Sequence, residues 1–381
     1  MIRLRTQICL LFCCVASVFV HAENPLSTKG QASVWINTPF YPDLALWSGI
    51  RYIPTLHFTT PLVSTNGKFD AEVSVNALAT LHTTDGTVWQ SDASLKPYRL
   101  WGRYTTNQLE LRLGLQKLNF GSATILRPLM WFDKVDPRDP LQLTDGVWGL
   151  LGRYYFLDNS NIWLWVLHGN KTAKMWEIGD TYTHRPEVGG RYQRKVGNGE
   201  MGASYHHRIA NTSMLGDAVQ YHGLVPENRI GIDGRWDAGC GIWFETSYIQ
   251  KNRNIGLLTH QTHVTVGADY TFAVGNGLAC SLEQLLLSHS EKWEDFTTLD
   301  SFSALTASYP IGLSTTLGGI CYYHFSQHTL YSMATVTHQW GNFSLHGMLY
   351  HNPSQYQMPF GAAASNQFVG SGIQLMLVYT H

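Results

Sequence analysis

Leu109-Glu110-Leu111-Arg112-Leu113-Gly114-Leu115-Gln116 alternates without a break, with four leucines on one side of an extended chain and Glu110, Arg112, Gly114 and Gln116 on the other. Successive side chains of a strand point to opposite faces, so this octet has one apolar and one polar face. The same period of two runs from Phe69 to His82. There Phe69, Ala71, Val73, Val75, Ala77, Ala79 and Leu81 oppose Asp70, Glu72, Ser74, Asn76, Thr80 and His82, and only Leu78 breaks the pattern. Ile230, Ile232 and Trp236 oppose Arg229, Asp233 and Arg235 in the same way.

Runs of this kind predict about eighteen strands, with sixteen as the alternative count. They lie at 31–38, 50–60, 68–82, 97–105, 108–117, 147–156, 161–168, 187–195, 199–209, 226–237, 240–251, 259–272, 277–288, 301–309, 313–325, 328–340, 342–351 and 366–381. Short links at Thr105-Thr106-Asn107, Gly197-Asn198-Gly199, Ala238-Gly239, Gly275-Asn276-Gly277 and Gly341-Asn342 fall between longer loops. Gly and Asn supply the positive φ that tight hairpins need. Short turns at one end and long loops at the other are the plan of an all-β transmembrane antiparallel β-barrel, whose even strand count returns both termini to the periplasm.

Period two alone does not separate such a barrel from a soluble sandwich, but composition does. Only 14% of the chain is charged while 13% is aromatic, and no Asp, Glu, Lys or Arg occurs from Ser301 to His381. A soluble surface carries about twice that charge, whereas aromatic girdles mark membrane barrels. A net charge of -1 excludes a nucleic-acid binder that works through bulk positive charge. Residues 1–22 read as a cleaved signal peptide: Arg3 and Arg5 precede the apolar run Ile8 to Val20, and small Ala22 precedes Glu23. Phe12 and Cys13 stand where a lipoprotein signal needs small residues. Residues 23–381 then form one barrel domain, without an apolar run long enough for a spanning helix. Its three cysteines, Cys240, Cys280 and Cys321, argue against a disulfide scaffold. The strand Ile373, Leu375, Leu377, Tyr379 resembles the terminal insertion signal of outer-membrane barrels, except that the chain ends in His381 rather than an aromatic.

Leu111 to Gly121 (Leu-Arg-Leu-Gly-Leu-Gln-Lys-Leu-Asn-Phe-Gly), followed by Asp136-Pro137-Arg138-Asp139-Pro140-Leu141, resembles a strand and loop of the alginate-export-type and related substrate-specific porins of Gram-negative outer membranes. Those families commonly carry Gly-Arg-Gln where this chain has Gly114-Leu115-Gln116. The likeness covers about forty residues, and elsewhere the chain matches in barrel pattern only. It implies a monomeric barrel for solute passage and, in the alginate exporters, a lumen rich in Arg and Lys that passes an anionic polysaccharide.

Strand parity assigns a lumen independently. Arg99, Arg103, Arg112, Arg153, Arg191, Lys195, Arg208, Arg229 and Arg235 fall on the polar faces, with Trp101 and Trp243, against Glu110, Glu187, Glu200, Asp233, Asp237 and Glu245. Arg194 falls on the outer parity, at the rim. Nine cations against six acids predict a pore of modest anion preference, for uronate-like, carboxylate or phosphate solutes. A neutral-sugar porin with an aromatic lining is the alternative. Facing charges that merely satisfy one another across strands are the bland reading of each arginine.

The longest connection, 118–146, holds Ile125, Leu126, Leu129, Met130, Trp131, Phe132 and Leu141 beside Arg127, Lys134, Asp133, Asp136, Arg138, Asp139 and Asp145. So apolar a loop would aggregate outside; folded into the barrel it narrows the pore, which makes Arg127, Asp133, Asp136, Arg138 and Asp139 constriction residues. The aspartate spacing fits no EF-hand, and no HExxH or Cys/His ligand spacing occurs, so neither metal nor cofactor is expected. Tyr322-Tyr323-His324-Phe325-Ser326 resembles the Tyr-x-His-x-Ser element of outer-membrane phospholipase, but Gln327 and His328 replace the Asn-Gly that follows it there. The sequence therefore reads as a channel rather than an enzyme. The modest loops beyond residue 146 argue against an adhesin or other display barrel. Its expected partners are outer-membrane lipid and lipopolysaccharide, periplasmic chaperones and the barrel-assembly machinery, and a small hydrophilic solute, with no nucleic acid.

Overall fold

Each backbone N–H and C=O of a sheet needs a partner, and in a computed structural model the chain meets that need by closing the sheet on itself. The structure describes residues 25–40, 45–62, 66–83, 86–135, 139–295, 298–353 and 366–381. The expected signal peptide lies outside them, as do Asp136 and Arg138.

The strands in chain order are β1 (Leu26–Pro39), β2 (Leu46–Leu62), β3 (Gly67–Thr83), β4 (Trp89–Thr105), β5 (Leu109–Gln116), β6 (Val147–Tyr155), β7 (Asn161–Leu167), β8 (Asp180–Thr181), β9 (Glu187–Val196), β10 (Gly199–Asn211), β11 (Leu224–Asp237), β12 (Gly241–Lys251), β13 (His260–Phe272), β14 (Leu278–Ser290), β15 (Thr298–Ile311), β16 (Thr315–His324), β17 (Thr329–Trp340), β18 (Phe343–His351) and β19 (Ser371–Thr380). β8 is a two-residue spur beside the end of β10, because β7 pairs directly with β9. The other eighteen strands form one antiparallel wall. It closes where β1 meets β19, from Gln31 opposite Thr380 to Pro39 opposite Gly372. That register puts the start of β1, the end of β19 and the short turns at one end of the barrel. Gly197 and Gly341, at φ 63° and 53°, make two of those turns.

All eighteen wall strands were legible in the alternation, but β1, β2 and β4 start earlier than their sequence patterns, at Leu26, Leu46 and Trp89. In β4 the reason is visible: Trp89 to Pro97 is exposed on both faces, so no buried side imposes a period. Leu78, the break in the β3 pattern, points inward and packs with Leu141 against Trp35, Met376 and Val378.

Solvent exposure inverts the order of a soluble protein. Leu113, Leu164, Ile230, Leu282 and Leu349 are exposed on the outer face, while Arg191, Arg208, Arg229, Glu227, Glu245 and Glu283 are buried inside. An apolar exterior, a polar interior and no free edge are what a hydrocarbon solvent demands of a sheet. At the short-turn end, ring centroids run Trp340 to Phe343 at 6.1 Å, Phe343 to Tyr379 at 4.8 Å, Tyr379 to His381 at 5.7 Å and His381 to Tyr52 at 6.2 Å. The terminal imidazole thus joins the aromatic girdle in the position a terminal aromatic would hold.

Leu113 tests this orientation. Leu113→Arg should lower barrel stability in lipid vesicles by about 2–4 kcal/mol near the midplane, measured by denaturant unfolding, and Leu113→Ile should change it little.

Candidate functional site: a loop fastened to inward carboxylates

Residues 122–131 of the connection between β5 and β6 run along the inner face of β11 to β14, and their main chain is fastened there by acids. Glu283, fully buried on β14, accepts the N–H groups of Thr124 (2.7 Å), Ile125 (3.0 Å) and Leu126 (2.5 Å). It also accepts the Thr124 hydroxyl (3.0 Å) and the Trp243 indole N–H (2.9 Å). Glu245 on β12 accepts the N–H of Ala123 (2.9 Å) and of Leu129 (2.5 Å). Ser122 donates to Asp233 at 2.9 Å, Thr265 donates to the Leu126 carbonyl at 2.6 Å, and the Trp131 indole donates to Ser247 at 2.9 Å. Charge-assisted bonds of this kind are roughly twice as strong as neutral ones. Gly121, at φ 106°, lies so close to Glu245 that an added Cβ would stand 2.3 Å from Oε2, so no other residue fits the crossing.

The apolar part of the loop supplies a core inside the wall. Leu118, Phe120, Leu129, Trp131 and Phe132 pack with Val147, Leu151, Trp165 and Leu167, and Phe120 stacks on Trp165 at 5.7 Å. Leu126 joins a second cluster with Trp176, Phe302, Tyr322 and Tyr350, so the arc without fixed charge is apolar and aromatic on its inner side.

The residues assigned to the lumen by parity are mostly held in ion pairs. Arg103 Nε donates to Asp70 (3.0 Å) and Arg112 to Glu110 (2.7 Å), with Arg153 3.8 Å from the same Glu110 oxygen. Trp101 has two guanidinium groups near its ring, that of Arg103 at 5.5 Å and that of Arg112 at 5.0 Å. Arg191 makes two bonds to Asp233 (2.6 and 3.0 Å), and Arg235 pairs with Asp269. Arg208, Arg229 and Lys251 surround Glu227 at 2.6, 2.6 and 3.1 Å, and Glu177 closes the group on both arginines. Arg99 is different: its guanidinium donates to the carbonyls of Thr144 (3.0 Å) and Tyr98 (2.5 Å), with no acid partner among the described residues. Arg127 likewise bonds Asn119 and the Phe120 carbonyl (2.8 Å).

Parity counting missed Glu283, Glu227, Lys251 and Asp70. A signal existed for Glu227, two residues before Arg229 on the same face, and for Glu283, on the inner parity with Leu285. Glu177, on a loop after β7, has no periodic signal.

Among the described residues the loop aspartates do not converge. Asp139 lies 3.8 Å from Arg51 and Asp145 3.0 Å from Lys96, while Asp133 is buried. Among the described residues no group of three or more His, Cys, Asp or Glu side chains has the spacing of a metal site. In the phospholipase-like element His324 Nε2 and Ser326 Oγ both meet Asp300, at 2.7 and 2.6 Å, so the hydroxyl is bonded to the acid and not to the imidazole a hydrolase would use as base.

No protein-family model and no curated protein matches the chain. Among solved structures the barrel is similar to Pseudomonas aeruginosa OccK7 (OpdD), with 10% identity over 94% of this chain and 99% of that one and a TM-score of 0.57. It is also similar to Pseudomonas aeruginosa OccK5 (OpdH), with 11% identity, coverage of 93% and 97%, and a TM-score of 0.52. The fold is that of an outer-membrane porin.

Glu283→Ala should strand three main-chain donors inside the barrel at a cost of about 1–3 kcal/mol each. The expected readout is new protease cleavage within 118–146 while the folded band on an unheated gel persists; Glu283→Gln should fall between the two.

Proposed function

We propose that the protein is a channel in the outer membrane of a Gram-negative bacterium, passing small hydrophilic solutes passively, with 118–146 as its constriction. The observation that carries this reading is the fastening of that loop to Asp233, Glu245 and Glu283 inside a wall whose outer face is apolar. Short turns and both termini face the periplasm; the long loops face outward. The barrel acts as a monomer amid lipid and lipopolysaccharide, after delivery by periplasmic chaperones and the assembly machinery. It is a channel and not an enzyme: the loop narrows a passage, and catalysis is assigned to no residue.

A modest anion preference is the finer proposal, with Arg99, Trp101, Arg103, Arg112, Arg127, Arg153, Arg191, Arg208, Arg229 and Arg235 lining the path. The pairs above reduce the excess that a bare count suggests, so Arg99 and Arg127, held by carbonyls and an amide, contribute most of it. Carboxylate, uronate-like and phosphate solutes suit such a path. The neutral-sugar alternative needs free indole faces, yet guanidinium groups lie over the rings of both Trp101 and Trp243, with Arg235 4.6 Å from the latter.

Replacing Met130 to Gln142 by a short Gly-Ser link should clearly raise single-channel conductance in planar bilayers; an unchanged conductance would remove the loop from the conduction path. In a KCl gradient the reversal potential should show anion preference. It should move toward cations when Arg103→Gln and Arg112→Gln leave Asp70 with Lys68 alone and Glu110 with Arg153 alone, and the bias should shrink as salt shortens the screening length to about 3 Å at 1 M.

A further inference from the structure

At the long-loop end of the wall a cavity of about 350 Å³ opens between residues 132–134 and 143–146 on one side and residues 169–174 on the other. Lys96, Lys134, Lys171 and Lys174 line it, against Asp133 and Asp145. Lys96 is spent on Asp145, and Lys174 Nζ reaches the Gly146 carbonyl at 3.4 Å. Lys134 and Lys171 have no ion-pair partner among the described residues. At the base sits Asp133, 3% exposed, with neither carboxylate oxygen hydrogen-bonded.

The two loops are fixed in place. The Asn170 side chain accepts the Trp148 N–H at 2.8 Å and donates to the Trp148 carbonyl at 3.0 Å, and the Met175 N–H donates to the Asp133 carbonyl at 3.4 Å. Lys171 and Lys174 are therefore presented by a pinned segment. Burial pushes the Asp133 carboxyl up, against the pull of Lys117, Arg127, Arg99 and Lys174.

We propose that this cavity binds a phosphoryl group, with Lys134, Lys171 and Lys174 meeting its oxygens. Elsewhere in the barrel the paired cations are chiefly arginines, whose planar forks match planar carboxylates. Here the unpaired cations are ammonium groups, point charges that converge on one volume from separate segments, which suits a tetrahedral oxyanion better than a planar one. The phosphoryl group has two sources of the same chemistry: a soluble phosphate monoester approaching the channel, or a lipopolysaccharide phosphate at the rim beside the exposed Trp148. The site stands whether or not the lumen conducts.

The test is calorimetric titration of the detergent-purified barrel at low ionic strength with inorganic phosphate, glycerol phosphate, acetate, and lipid A with and without its phosphates. At least one phosphorylated probe should bind, acetate at least tenfold more weakly. The Lys171→Gln, Lys174→Gln double variant should lose tenfold or more in affinity. Lys134→Gln alone is the second variant should the double one fail to give a folded band on an unheated gel. Binding of soluble phosphates assigns the group to a solute, binding of phosphorylated lipid A alone assigns it to the membrane, and binding of both supports the shared site. No binding by any phosphorylated probe, acetate as good as phosphate, or undiminished binding in the variants overturns the proposal. Conductance plays no part in this readout, so a barrel that fails to conduct leaves it intact.

Discussion

A chain surrounded by hydrocarbon has no water with which to satisfy its amides, and this single deprivation organises the molecule. It forces the sheet to close, β1 onto β19, so that no row of N–H and C=O groups faces lipid. Closure makes one face of each strand lipid-facing, so Leu113, Leu164 and Leu282 are outside and the ionisable side chains are inside. The interior then has an electrostatic problem instead of a hydrophobic one: charges removed from bulk water must find one another. The group of Arg208, Arg229 and Lys251 around Glu227 and Glu177 is one answer, since each of these cations finds a carboxylate within 3.4 Å.

The same problem explains how the interior loop is held. A carboxylate on the inner face needs several donors, and a loop crossing the inner face has main-chain N–H groups in need of acceptors. Glu283 and the stretch Thr124 to Leu126 satisfy one another, and Glu245 does the same for Ala123 and Leu129. The apolar side chains of the loop remain free to build the Phe120, Trp131 and Trp165 cluster, which gives the segment a core although it contains no strand.

The architecture was legible because alternation is a local property. Leu109 to Gln116 states which face is which without reference to any other strand, and the tight turns announce themselves by Gly and Asn. What was not legible depends on distance through space. Glu283 and Thr124 are 159 residues apart in sequence, and nothing in either neighbourhood names the other. Leu78 broke a local rule and was right to do so, because the inner face at that level meets Trp35 and Met376 instead of water. The lysines at 171 and 174 sit in a loop of no periodicity, and their relation to Asp133 appears only when two loops are laid side by side.

The grip on the interior loop is a grip on backbone. Glu283 and Glu245 recognise the N–H groups of residues 123 to 126 and 129, which every amino acid but proline possesses, and apart from the Thr124 hydroxyl those bonds are blind to side-chain identity. Gly121, and Gly146 at the end of the segment, are the positions constrained by positive φ and close neighbours. The attachment and the chemistry presented to a passing molecule are therefore separately adjustable: a substitution at the part-exposed position 125 can retune one without unfastening the other. A barrel built this way is a socket that accepts many inserts of the same backbone shape.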